Sequence, residues 1–200
     1  MPAFPLTSVV FLDRDGVINR DSPDYVTSWE AFEFLSGSLE AMARLTRAGF
    51  SLIVVTNQSA VGRGLMTAAT LEEMHRRLRE VVAAHGGRIH DILHCPHLPS
   101  AGCACRKPAP GMLLEAQRRH GIQMAAATMI GDSAKDIEAA RQAGCGRVVL
   151  VGSGLTDAGP QLEARGLTPD HVADDLRAAA DWLLRPPAPQ APAPGTDPSG

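Results

Sequence analysis

Phe11-Leu12-Asp13-Arg14-Asp15-Gly16 closes the apolar run Ser8-Val9-Val10-Phe11-Leu12, and its reading decides the fold. β-Branched and aromatic residues in so short a run form a buried strand. Two carboxylates follow at i and i+2. In extended chain that spacing puts both side chains on one face, roughly 6–7 Å apart. Gly16 then lets the backbone turn away sharply. Acids at the carboxyl end of a buried strand serve no packing purpose, and burying them unpaired is costly. A bound cation with a polar ligand explains them; a solvated strand-to-turn junction is the plainer alternative. The rest of the chain decides between the two.

Further strands read at Ser51–Val55, Ile89–His94, Ala127–Ile130 and Arg147–Val151, with a weak sixth near His171-Val172. Helices alternate with them. Ser36 or Ser38 caps one whose apolar face is Leu39, Met42 and Ala43, and Gly49 ends it. Thr67 starts the longest, with Leu71, Met74, His75, Leu78, Val81, Val82 and His85 on one stripe; His75 and His85 read as helix-face residues rather than ligands. Pro110 opens the next at its favoured first position and that helix runs to about His120. Another spans 134–143 and stops at Gly144, and the last presents Leu176, Ala179, Ala180, Leu183 and Leu184. Such alternation implies a parallel sheet covered on both faces, a three-layer doubly wound α/β fold whose strand carboxyl ends share one ligand-binding edge. Asp13, Thr56, a cysteine loop with Lys107, and Asp132 all fall at that edge. Residues 17–35, with Tyr25, Trp29, Phe32 and Phe34, are long for a connection, and such loops are often functional.

A chain of 200 residues with 44% hydrophobic content suits one domain, read here as 1–185, with 186–200 a disordered Pro/Ala-rich tail. A net charge of −3 carries no basic footprint for nucleic acid. No apolar run reaches membrane-spanning length, and the first residues lack the positive charge of a secretory signal. A cytoplasmic monomer is expected.

With the first and fourth strands adjacent, Asp132 falls beside Asp13 and Asp15, and three crowded carboxylates call for a cation. Oxygen-only donors favour Mg²⁺. An ionised Asp is a competent nucleophile toward phosphorus, and a second can act as general acid. Thr56 offers a hydroxyl and an N–H, and Lys107 a compact charge, to a phosphate. Cys95-Pro96-His97 and Cys103-Ala104-Cys105 bring four ligands in two close pairs, matching a closed tetrahedral Zn²⁺ site; free thiols or a disulfide are the alternative. His94 ranks behind His97 as a ligand, and Cys145 reads as a buried thiol. Pro108 biases Lys107 toward an extended conformation.

Asp13-x-Asp15-Gly, Thr56-Asn57, Lys107 and Gly131-Asp132-x-x-x-Asp136 resemble, in order and placement, the four motifs of the haloacid-dehalogenase (HAD) superfamily. The resemblance covers about residues 9–155. It implies that Asp13 becomes an aspartyl-phosphate and that Asp15 protonates the leaving oxygen and then activates water. It implies Mg²⁺ held by Asp13, the Asp15 carbonyl and Asp132, with Asp136 in support. Neither 16–36 nor 59–88 is long enough for a cap domain, so the site should be open. The zinc-loop variant resembles members acting on a small phosphorylated sugar, a bisphosphate on the way to lipopolysaccharide. By that likeness Arg106 and the loop Asp21–Tyr25 join Asn57, Gln58 and Ser59 as substrate contacts. Histidinol phosphate is the rival substrate.

Overall fold

The computed structural model describes Leu6, residues 8–152, Gly154 and residues 157–185. The expected tail at 186–200 lies outside them. Six parallel strands, β1 (Val9–Leu12), β2 (Ser51–Asn57), β3 (Ile89–Cys95), β4 (Thr128–Gly131), β5 (Arg147–Val151) and β6 (His171–Ala173), lie in the order β3-β2-β1-β4-β5-β6. Leu12 is in register with Val54 on one side and Ile130 on the other. The chain builds outward from β1 to β3, then returns to build from β4 to β6. The strand order therefore reverses between β1 and β4, where a crevice opens at the carboxyl ends.

Alternation along the strands feeds two cores. Val10, Leu12, Leu52, Val54, Ile130 and Val149 pack on α1 (Ser38–Arg47), α3 (Ala68–Ala84) and α7 (Leu176–Leu183). Val9, Phe11, Ile53, Val55, Met129 and Val148 pack against α4 (Gly111–His120), α5 (Ala134–Ala143) and α6 (Gly159–Ala164). The short α2 (Ser59–Gly62) follows β2; neither α2 nor α6 was expected from the sequence. No described helix is long and apolar enough to cross a membrane.

Two helix starts differ from expectation. Neither Ser36 nor Ser38 caps α1: the chain enters through Gly37 at φ 76°, and the buried Ser38 Oγ has no hydrogen-bond partner among the described residues. A left-handed residue there turns the preceding chain away, so no side chain can reach the free N–H groups. Pro110 precedes α4 as its N-cap rather than occupying the first turn. Thr67 does cap α3, accepting from the Thr70 N–H at 3.0 Å.

Residues 17–35 fold back over the edge rather than forming a domain. Isolated bridges join Asn19 to both Asp15 and Phe34; Trp29 stacks on Phe32 and Phe34 meets both edge-on, at centroid distances of 5.0–6.2 Å. No separate cap domain interrupts the described residues in either connection.

His75 lies buried on the inner face of α3, and its titration should make the fold sensitive to acid. Burial, then the neighbouring Arg14, His94 and Arg79, push its pKa down to about 3, against a smaller opposing pull from Asp15. In the unfolded chain the imidazole takes up a proton near pH 6.5. Below that value the unfolded state binds more protons, so stability present at neutral pH is lost as pH falls from about 6.5 toward 3. Tm measured across this window should decline less steeply in His75→Gln than in the wild type; equal slopes would refute the assignment.

Candidate active site

A cleft of about 310 Å³ opens at the carboxyl ends of β1, β2 and β4. Lys107 is buried at its floor. Its Nζ donates to the Val55 carbonyl at 2.8 Å and lies 2.9 Å from Asp13 Oδ1 and 2.6 Å from Asp136 Oδ1. An ammonium has three N–H donors, so each already faces an acceptor. Burial disfavours the charge, but the Asp13 and Asp136 carboxylates outweigh it and raise the pKa. Asp13 Oδ1 also accepts from the Arg14 N–H at 2.7 Å, so one oxygen of this carboxylate is fixed by two donors. Asp136 Oδ2 closes the capping box of α5, accepting from Ser133 N and Oγ at 3.1 and 2.6 Å.

Asp132 completes a trio: oxygens of Asp13, Asp132 and Asp136 lie within 4.8 Å of one another. Burial, followed by the charges of Asp136 and Asp13, pushes Asp132 up to about 9. Burial raises Asp13 to about 7 even against the pull of Lys107. One lysine does not neutralise three carboxylates, and the donors are all oxygen, so the residues fit Mg²⁺. The Asp132 carboxylate is wedged between backbones. A Cβ at Gly16 or Gly154 would stand 2.2 or 2.0 Å from its Oδ2.

Asp15 differs from the arrangement expected of it. Its carboxylate does not join the trio but turns to Arg14, whose Nε and Nη2 reach Oδ1 at 3.1 and 2.8 Å and whose Nη2 reaches Oδ2 at 3.0 Å. Asn19 and Gln58 add donors at 2.8 and 2.7 Å. The two-residue alternation ends with β1: the N–H groups of Ile18 and Asn19 converge on the Arg14 carbonyl at 2.8 and 3.1 Å, curling the chain. Arg14 was missed in the sequence. It is fully buried, with its guanidinium 5.6 Å from the Phe32 ring centroid, and its only signal was a cation between two acids in an apolar frame.

The structure brings most of the expected contact residues to the cleft. Thr56, Asn57, Gln58, Ser59, Asp21, Tyr25, Arg106 and Lys107 all line it. Like Lys107, Asn57 and Gln58 already have committed side chains. Asn57 makes a reciprocal pair with the Lys107 backbone, donating to its carbonyl and accepting from its N–H, both at 3.1 Å. Gln58 Nε2 donates to Thr56 Oγ1 as well as to Asp15. Burial raises the pKa of Asp21. Tyr25 sits at φ 65°, with the Arg63 guanidinium 5.7 Å from its ring centroid. Arg63 and Lys135 also line the cleft and were not singled out from sequence; both follow strand carboxyl ends, which is the signal that could have found them.

Beside the cleft, the sulfurs of Cys95, Cys103 and Cys105 and Nδ1 of His97 converge at 3.2–3.6 Å. A tetrahedron of ligands about 2.3 Å from a Zn²⁺ has edges of about 3.8 Å, so this cluster has the right size. None of the three thiols is paired in a disulfide. Burial, then the hydrogen bonds that Cys105 donates to Cys95 and Cys103, push its thiol up to about 12. His94 lies outside the cluster. The Lys107–Pro108 peptide that follows is cis, and Arg106 Nη1 donates to the His97 carbonyl at 3.2 Å.

Known proteins share this arrangement. A family model described as HAD-hydrolase-like matches residues 104–179. The D-glycero-β-D-manno-heptose-1,7-bisphosphate 7-phosphatase of Pseudomonas aeruginosa is 44% identical over 179 residues, covering 89% of this chain and 98% of its own. That of Escherichia coli K12 is 40% identical over 182 residues, covering 88% and 87%. Among solved structures, the D,D-heptose 1,7-bisphosphate phosphatase of B. bronchiseptica, complexed with magnesium and phosphate, superposes with a TM-score of 0.81 at 43% identity, covering 88% of this chain and 98% of that one. This chain therefore belongs to the D-glycero-β-D-manno-heptose-1,7-bisphosphate 7-phosphatase family of HAD-like hydrolases.

Proposed function

We propose that the chain removes the 7-phosphate of D-glycero-D-manno-heptose 1,7-bisphosphate, a step in making nucleotide-activated heptose for lipopolysaccharide. One observation carries the substrate choice beyond the relatives' names: three cations, Arg63, Arg106 and Lys135, line the cleft above the carboxylate floor. A second phosphate is welcome there, whereas the ammonium of histidinol phosphate would be repelled.

In this reading Asp13 attacks phosphorus and the bond to the C7 oxygen breaks as Asp15 gives that oxygen a proton. Asp15 next takes a proton from water, which attacks the aspartyl-phosphate and releases inorganic phosphate with Asp13 restored. Lys107 holds the nucleophile in place and lends its charge to the phosphoryl oxygens; the Thr56 hydroxyl receives those oxygens. Mg²⁺, held by Asp13, Asp132 and the Asp15 carbonyl with Asp136 in support, would neutralise charge as the two anions approach. Zn²⁺ on Cys95, His97, Cys103 and Cys105 would leave no open position and so would be structural.

A comparison of kcat/KM for the heptose bisphosphate, histidinol phosphate and an aryl phosphate tests the reading. The bisphosphate should be preferred. Arg63→Ala and Arg106→Ala should each lower its kcat/KM about 10–100-fold, the worth of a charge-assisted hydrogen bond, and barely change the aryl phosphate. Preference for histidinol phosphate would overturn the assignment.

The zinc loop should act through position. His97 is both a ligand and, through its carbonyl, the acceptor for Arg106. Cys103→Ser should therefore release Arg106, and misplacement by about 1 Å can cost about a hundredfold. That loss should fall on the bisphosphate and spare the aryl phosphate. Equal losses on both, with zinc content and fold retained, would point to a direct chemical role instead.

A further inference from the structure

On the opposite side of the sheet from the cysteine cluster stands a group of ligands that the phosphatase reaction does not use. Glu72 and His75 lie three residues apart on α3, and His94 comes from β3. One ligand atom from each lies within 4.8 Å of the others. The two imidazole centroids are 5.5 Å apart, and His94 Nδ1 is 3.9 Å from Glu72 Oε1. His75 is only 4% exposed, yet its Nε2 has no hydrogen-bond partner among the described residues. A buried nitrogen without a partner is costly and asks for an explanation. The sequence placed His75 correctly on the inner face of its helix, but packing alone leaves that nitrogen unexplained.

The geometry points to a second metal site, in which Glu72, His75 and His94 bind a borderline divalent cation such as Zn²⁺ or Co²⁺. Two imidazoles and a carboxylate suit these ions, whereas Mg²⁺ prefers oxygen alone. His94 and Cys95 are consecutive on β3 and so project to opposite faces of the sheet, which keeps this site distinct from the cysteine cluster. β3 is an edge strand, and Glu72 and His94 border a cleft of about 330 Å³ that wraps around it, with Cys105 on the far side, and gives an ion access. Glu72 is exposed and can swing inward to close on the ion. Three protein ligands leave a position for water or an external ligand, unlike the closed set of Cys95, His97, Cys103 and Cys105.

Titrating Co²⁺ into the full-length protein as purified, in excess Mg²⁺, tests the proposal by visible absorption and bound-metal analysis. The expected result is one additional Co²⁺ per chain whose d–d bands appear without thiolate charge transfer. His75→Gln, His94→Gln and Glu72→Gln should each weaken that binding at least about tenfold, the loss that even an outer partner of a metal ligand can cause. Glu72 is at the surface, so its variant keeps the test valid if a buried histidine variant fails to fold. No additional Co²⁺, bands with thiolate charge transfer, or binding unchanged in Glu72→Gln and His94→Gln would each overturn it.

Discussion

Asp13→Asn stops turnover, lowering kcat at least about 10⁴-fold, as loss of a nucleophile does elsewhere. The amide has nearly the shape of the carboxylate and can still accept from the Arg14 N–H, which holds Oδ1 at 2.7 Å. It cannot attack phosphorus. Because burial already raises the Asp13 carboxyl to about 7, removing its charge relieves the crowding against Asp136 and Asp132, and Lys107 keeps Asp136 as its partner. The variant should consequently fold with a Tm close to the wild type while showing no multiple turnover on any phosphate ester. Sustained turnover by a correctly folded Asp13→Asn protein would rule out the covalent mechanism.

Lys107→Met has the second-largest effect, and it strikes stability and catalysis together. The substitution keeps the stem but leaves Asp13 and Asp136 facing each other without their shared cation. Breaking a buried ion pair from one side costs about 3–5 kcal/mol, measurable by urea unfolding. Activity should fall for the bisphosphate and the aryl phosphate alike, since Lys107 fixes the nucleophile common to both. That pattern separates it from Arg63→Ala, Arg106→Ala and Cys103→Ser, whose effects depend on the substrate. An aryl phosphatase activity near wild type would show that Lys107 is dispensable to the chemistry.

Much of this was legible in the residues because strands and motifs are local signals. Val9–Leu12, Arg147–Val151 and the helix 134–143 announce themselves by composition and period, and the acids follow strand ends within a residue or two. Side-chain commitments were not legible. Asp15 was expected beside Asp13, but its orientation depends on Arg14, Asn19 and Gln58, and Gln58 arrives from another strand. Asn57 was expected as a substrate contact, and it lines the cleft, but the pairing of its amide with the backbone of Lys107, fifty residues along, could not be read from sequence. The start of α1 shows the same limit at small scale. Two serines offered caps, and a glycine at φ 76° set the direction of approach instead.

The central place of β1 has a consequence for synthesis on the ribosome. β1, the first of the six described strands, needs neighbours on both sides, β2 soon and β4 only after Thr128 has emerged. Until then one side of Val9–Leu12 is an open hydrophobic edge, the kind of surface that pairs with other chains. The nascent protein should therefore be most prone to aggregate before β4 emerges, which is the interval in which a chaperone would matter most.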